Sequence, residues 1–373
     1  LGDVYKRQTY SVHVIIEVGE NILNNFENMP TFTTAAAAAV TTVTTAAELK
    51  TALEAATPAA ISVTANIELS DAITLGADHT LNIADGVTVS TGNNTLTIPD
   101  GKTLTLSGTG TLTANAANIG IQVNGTLKLT DGSNLVADSI IVLGASSTPG
   151  SLESNGGHIT IQNSGTIGYG IYGGSDTGDD RVALAGGSLT VRNTAYDGIT
   201  GVKLDISDHC TVTVASTDAS VSGLKVDEMS VAGSMVRIEN TVGQGLLAKR
   251  LTVENSAVTV TNSAGTGILI TDYQQDAVFN LKNSTLALEN TGGTGLLINA
   301  SDSLLIDGST VTIAANGGTG LGRENTTAQV LGANSGKLTL IKEAKLYIAQ
   351  GIFRDRGSVF NLSLIHISEP TRH

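Results

Sequence analysis

From Ala60 onward the chain alternates apolar and polar residues in short bursts: ISVTANIEL, TLNIADGVTV, TLTIPDGKTLTL and TLKLTDGSNL. A period of two sends successive side chains to opposite faces of a strand, so each burst predicts a half-buried β-strand. Asp85-Gly86, Asp100-Gly101 and Asp131-Gly132 separate the bursts and predict tight turns. After residue 150 the bursts become a repeat: HITIQNSGTIGYGI, SLTVRNTAYDGI, MVRIENTVGQGL, AVTVTNSAGTGI and TLALENTGGTGL. Each is a strand, then Asn-Ser or Asn-Thr in most copies, then a turn that ends on Gly followed by Ile or Leu. That Gly recurs at 170, 198, 223, 245, 267, 295 and 320. A second burst falls between these: LDISDH, MSVAGS, LTVENS, FNLKNS and LLIDGS.

Two or three strands per repeat, joined by tight corners, leave no room for a crossover helix. Self-similarity at 20–30 residues signals a solenoid. Leucine-rich repeats lack a match to the spacing, and a propeller blade needs about 40 residues. The pattern predicts an all-β fold: a right-handed, single-stranded parallel β-helix with apolar residues inside and Thr or Ser outside. At about 4.8 Å per coil, some twelve coils make a rod on the order of 55 Å long. Asn163, Asn193, Asn240, Asn262 and Asn290 then share one corner, where their amides stack in a ladder interrupted by Ser216 and Ala315.

One convincing helix precedes the repeats. Thr45 and Glu48 form a capping-box pattern, Leu49, Ala52, Leu53 and Ala56 share a face, and Thr57-Pro58 ends the run. A short helix with one apolar stripe before a long β region predicts a cap over the first coil's open edge. The expected organisation is a leader or linker over 9–44, the capping helix over 45–57, the β-helix over 58–353 and a truncated continuation over 354–361.

The stretch AAELKTALEAATPAAISVTANIEL, followed by TLNIADGVTV, resembles the start of pectate-lyase-like β-helix domains of bacterial secreted and surface proteins, often adhesin-like. The resemblance covers roughly residues 43–350 and is carried mainly by the capping helix and first coils. It implies an extracellular or cell-surface location and a carbohydrate or host-surface ligand.

The two ends differ from everything between them. Codons CTC GGA GAT GTG TAT AAG AGA CAG encode LGDVYKRQ, and their opposite strand encodes LSLIHISE, which is residues 362–369. An inverted DNA repeat framing a reading frame is a library scar, and this one looks like a sequencing adapter. Residues 1–8 and 362–373 are therefore expected to stay out of the ladder.

Composition narrows the partners. The net charge is −14, which repels nucleic acid and anionic membranes. Charged residues make up 14%, aromatic residues 3%, and there is no Trp, so the core must be aliphatic. No run of residues is long and apolar enough to insert in a membrane. Cys210 stands alone, which excludes a disulfide framework within the chain.

Candidate chemistry is sparse. Pectin-cleaving relatives use an R-x-P-x-x-R stretch with paired Asp, or N-T-D, D-D and H-G elements, and none is complete here. Ser175–Arg181 is the densest acidic stretch, and Asp176, Asp179 and Asp180 are its candidate calcium ligands. Calcium is accordingly the single cofactor considered. His13, His79, His158 and His209 lack metal-ligand spacing, and a lone strand His is expected to face outward. His209-Cys210 fails as a nucleophile pair because strand neighbours point to opposite faces. Thr103/Thr105 and Thr211/Thr213 suggest ice binding only as a minor alternative.

The expected role is a non-catalytic adhesive or stalk module, with a polysaccharide lyase or glycoside hydrolase as the alternative. Three or more carboxylates with a Lys or Arg on one sheet face would favour the enzyme. Thr, Ser and Asn with scattered charge would favour the module.

Overall fold

The computed structural model describes residues 40–314 apart from 117–118, 146–147, 163–166, 175–178, 218–220, 272–276, 294 and 300–302. It also describes 16–18, 21–23, 337–341, 345–348 and 359–362. The chain divides into two units, residues 1–40 and 41–373. In the first unit, Ile16–Val18 and Asn21–Leu23 form an antiparallel hairpin.

The second unit is a parallel β-solenoid with three short strands per coil. Ala59–Val63 pairs with His79–Ile83, Ile67–Glu68 with Thr88–Ser90, and Ile73–Thr74 with Leu96–Ile98, all in parallel. Repetition of these pairings builds three sheets, here called first, second and third in the order a coil visits them. The second sheet has twelve strands among the described residues. The first and third sheets join where Leu224–Ala232 and Leu246–Glu254 run straight through a corner. The last described strand, Val359–Leu362, pairs with Lys337–Ile341, with Leu362 opposite Leu340. The ladder therefore takes in Leu362, one residue of the segment expected to stay outside it, because the strand's period of two continues through that residue. Residues 1–8 and 363–373 lie outside the described ones.

In-register pairing puts like on like. Leu81, Leu106 and Leu129 stack in the first sheet, and Val89, Leu112 and Leu135 in the second. All six are buried, and each contributes about 1.5–3 kcal/mol by leaving water. Ser154 is the exception in the Leu81 column, buried with its hydroxyl near the Gly157 carbonyl at 3.4 Å.

The recurring glycines have a steric cause. A Cβ on Gly198 would stand 2.6 Å from the Gly223 carbonyl oxygen and 2.5 Å from Val214 Cγ1. On Gly245 it would stand 2.6 Å from the Gly267 oxygen and 2.3 Å from Val260 Cγ1. Successive backbones pass too close at this corner for any side chain.

Polar corners also stack. Asn193, Asn240, Asn262 and Asn290 all adopt left-handed backbone, with φ of 54–55°. Asn262 donates to Asn240 Oδ1 at 3.0 Å, and Asn290 to Asn262 Oδ1 at 3.3 Å, which is the expected amide ladder. Asn163 lies outside the described residues. A buried serine ladder runs along another corner. The backbone N–H groups of Ser234, Ser256 and Ser284 donate to the hydroxyls of Ser256, Ser284 and Ser309 at 3.0, 3.2 and 2.9 Å. Each hydroxyl in turn donates to the carbonyl two residues earlier.

The helix is α1, Ala46–Glu54, with the capping box of Thr45 and Glu48 formed. The Thr44 N–H first, then the Thr45 hydroxyl and N–H and the Thr44 hydroxyl, hold the Glu48 carboxyl below its ordinary value by hydrogen bonding. Leu49 and Leu53 are buried in the core, and the Gly76 N–H donates to the Leu53 carbonyl at 2.9 Å. His79 is buried beneath the helix, contrary to the outward placement expected of a strand histidine. Its Nδ1 accepts from the Ala59 N–H at 3.2 Å, which leaves Nε2 to donate to the Ala55 carbonyl at 3.2 Å. The end of α1 and the start of the first strand leave backbone groups that need partners, and the imidazole meets both.

Replacing Leu49 and Leu53 together by Asp is expected to remove about 3–6 kcal/mol of local burial and expose the first coil's edge. Light scattering should then show aggregation at concentrations where the parent stays dispersed. Unchanged solubility and melting would mean that α1 does not seal the solenoid.

Candidate functional site

The acidic stretch does not present its carboxylates together. Asp179 is exposed and pairs with Lys203 at 2.9 Å, a hydrogen bond that raises the lysine's pKa. Asp180 is fully buried, and its Oδ1 accepts from the Gly144 and Gly150 N–H groups at 2.9 and 2.8 Å. One carboxylate bridges coils on the surface while its neighbour fastens the Gly144–Gly150 loop. Asp176 lies outside the described residues. Among those described, no three His, Cys, Asp or Glu side chains gather as a metal site.

The outer face of the first sheet carries a groove of about 630 Å³ that includes Lys128, Glu153, Arg181, Asp205 and Asp208 in its lining. Lys128 lies in register with Glu153, and Glu153 with Ala183 and then Asp205. Lys128 pairs with Glu153 at 3.2 Å, and Arg181 with Asp205 at 2.7 Å. The same face continues with Arg250–Glu228 at 3.9 Å and Lys282–Glu254 at 2.6 Å. The Glu254 hydrogen bond raises Lys282. Every one of these pairs joins neighbouring coils. They are about half exposed, so solvent screening leaves each a small contribution.

These residues look isolated when the chain is read linearly, because Lys128, Glu153 and Asp205 lie in separate repeats. The signal that finds them is position within the strand: each is the second outward residue in TLKL, SLESN and KLDIS. The face therefore holds three carboxylates with a Lys and an Arg, which is the number set for an enzyme. Two of the three carboxylates, Glu153 and Asp205, are ion-paired.

The second sheet's outer face carries Thr113, Thr160, Thr190, Thr213 and Thr259, but Val136 and Arg237 interrupt the rank. His209 sits in a turn and not in a strand. Asp208 and His209 have φ of 55° and 65°, and the Cys210 N–H closes back on the Ser207 carbonyl at 3.1 Å. Cys210 is buried, and burial pushes its thiol up to about 11, so it is protonated and inert at neutral pH. His158 faces outward, 2.9 Å from the Ser188 hydroxyl.

At the entry to the third sheet, Tyr169, Tyr172 and Tyr196 form an aromatic cluster above Asp197. Asp197 is buried, and its Oδ1 accepts from the Ser222 N–H at 2.7 Å. Burial raises its pKa, and the Ser222 hydrogen bond opposes this only in part. Burial and the Asp197 charge likewise raise Tyr169.

A raised carboxyl pKa means that the fold disfavours the ionised form, so ionised Asp197 costs stability above its ordinary pKa of 3.8. The cost grows until the folded-state pKa is passed and then stays constant. Asp197→Asn keeps the acceptor oxygen without the charge, so it should melt higher than the parent at pH 7. The gain should shrink on acidification and vanish below about 3.8. A gain independent of pH would assign it to packing instead. Compared with known proteins, the chain matches no family model, no curated protein and no solved structure.

Proposed function

We propose that the chain is a stalk or adhesive module of a bacterial secreted or cell-surface protein, with carbohydrate as its ligand class. The observation that carries this reading is the use made of charge on the first sheet. Lys128–Glu153, Arg181–Asp205, Arg250–Glu228 and Lys282–Glu254 each tie one coil to another. A charge held by a partner in the next coil stiffens the stack and is not poised to move a proton. Stacked Asn and Ser corners add directional hydrogen bonds along the same axis, each worth about 1 kcal/mol. Such a body suits spacing and display.

A second reading, as a polysaccharide lyase or glycoside hydrolase, is favoured by the same groove. Glu153 and Asp205 stand two coil rises apart, roughly 10 Å along the axis, with Arg181 beside Asp205. That spacing lies at the upper end of what two carboxyl groups need across a glycosidic bond.

The two readings separate in one assay. The chain, incubated with polygalacturonate, alginate or hyaluronan with and without calcium, is expected to release no product while being retained on an immobilised neutral polysaccharide. Turnover that disappears in the Glu153→Gln, Asp205→Asn double variant would replace the module by an enzyme.

A further inference from the structure

The chain has seven Tyr, five Phe and no Trp among 373 residues, yet three of the tyrosines meet at one surface spot. Tyr169 lies between the others, with ring centroids 5.0 Å from Tyr172 and 5.1 Å from Tyr196. The ring planes incline by 36° and 34°. Tyr196 is 45% exposed, and Tyr169 and Tyr172 are half-buried. The solenoid does not need these rings for its interior, which is filled by aliphatic side chains and Phe279.

The fold holds the rings in place. Tyr172 belongs to the strand Ile171–Gly173, paired on one side with Ile140–Val142 and on the other with Ile199–Thr200. Tyr196 lies over Gly168, where a Cβ would stand 2.3 Å from its ring, and its N–H donates to the Gly168 carbonyl at 2.8 Å. Gly174 leaves open the space between Tyr172 and the exposed Leu143. Rings fixed before binding lose little conformational freedom when a ligand arrives.

The spacing selects the occupant. Tyr169 and Tyr196 belong to neighbouring coils, so their separation follows the coil rise of about 4.8 Å. A glycan chain advances by a similar distance per pyranose ring. The C–H face of a pyranose is apolar and flat enough to lie on a phenol ring, while its hydroxyls remain at the rim. Charge narrows the class further: the buried Asp197 directly follows Tyr196 and the chain carries a net charge of −14, which disfavours uronates and sulfated sugars.

We propose that Tyr169, Tyr172 and Tyr196 form a stacking platform for consecutive sugar rings of a neutral glycan. The proposal rests on the carbohydrate reading above and gives it a location on the third sheet, apart from the charged groove of the first.

Because the chain has no Trp, its ultraviolet emission comes from its seven tyrosines, three of them in the platform, and calorimetry reads binding independently. The full chain is titrated with cellohexaose, mannohexaose, xylohexaose and oligogalacturonate, followed by emission and calorimetry. At least one neutral hexaose is expected to bind saturably. Tyr196→Ala should weaken it roughly tenfold or more, and Tyr172→Phe, which keeps the ring, should stay within about threefold. The Lys128→Ala, Arg181→Ala double variant should bind as the parent does. Neutral-glycan binding that survives Tyr196→Ala with an unchanged circular dichroism spectrum would overturn the platform and leave the carbohydrate reading standing. Binding of oligogalacturonate alone, lost in the groove variant, would move the sugar to the first sheet. Binding of none of the four would overturn both.

Discussion

Each coil must lie on the one below at a separation fixed by parallel hydrogen bonding, about 4.8 Å. That distance favours like on like inside, with Ser154 the exception in its leucine column. An aliphatic residue sits on an aliphatic residue inside, an amide on an amide at one corner, and a hydroxyl on a backbone N–H at another. Where two backbones themselves converge, the distance admits no side chain. The corner glycines Gly170, Gly198, Gly223, Gly245 and Gly267 each face the next glycine's carbonyl oxygen, with 2.5–2.9 Å available to a Cβ. They set the inner width of the solenoid, because Val191, Val214, Ile238 and Val260 close against the same points.

The same stacking arranges the surface. Residues separated by 20–30 positions become neighbours, so an acid in one repeat meets a base in another without any local motif. Lys128, Glu153, Arg181 and Asp205 become one groove in this way. Tyr169 and Tyr196 become adjacent rings for the same reason. A surface built from stacked repeats carries periodic features at the coil rise, and a polymer with a similar repeat is the natural match for them.

The fold was largely legible because its determinants are local or strictly periodic. The period of two, the Asp-Gly turns, the capping box of Thr45 and Glu48, and the glycine spacing each have one physical reading. The Asn240–Asn262–Asn290 ladder followed from spacing alone. Side-chain partners were harder to see. His79 shares the inward parity of Leu81 and Ile83 in HTLNI, a signal that the general outward preference of strand histidines hid. Only its partner, the Ala55 carbonyl at the end of α1, was invisible in the pattern. Asp179 and Asp180 are adjacent in sequence but serve opposite sides of the wall, one on Lys203 and one on the Gly144–Gly150 loop. The tyrosine cluster depends on register between repeats of unequal length, which composition does not encode.

The steric claim at the glycine corner is the most direct point of attack. Gly245→Ala and Gly233→Ala introduce the same methyl group at two corners of one coil, on either side of Met235–Thr241. At Gly245 the Cβ meets Val260 at 2.3 Å and the Gly267 oxygen at 2.6 Å, whereas at Gly233, with φ of 57°, nothing lies within 4 Å. Hydrogen exchange of the amides in Leu246–Glu254 and Ile268–Thr271 reads the local stability of the stack. The account predicts a loss of about 3 kcal/mol, roughly a hundredfold faster exchange, for Gly245→Ala. For Gly233→Ala it predicts about 1 kcal/mol, from backbone strain alone. Equal losses in the two variants, or protection unchanged in Gly245→Ala, would contradict it.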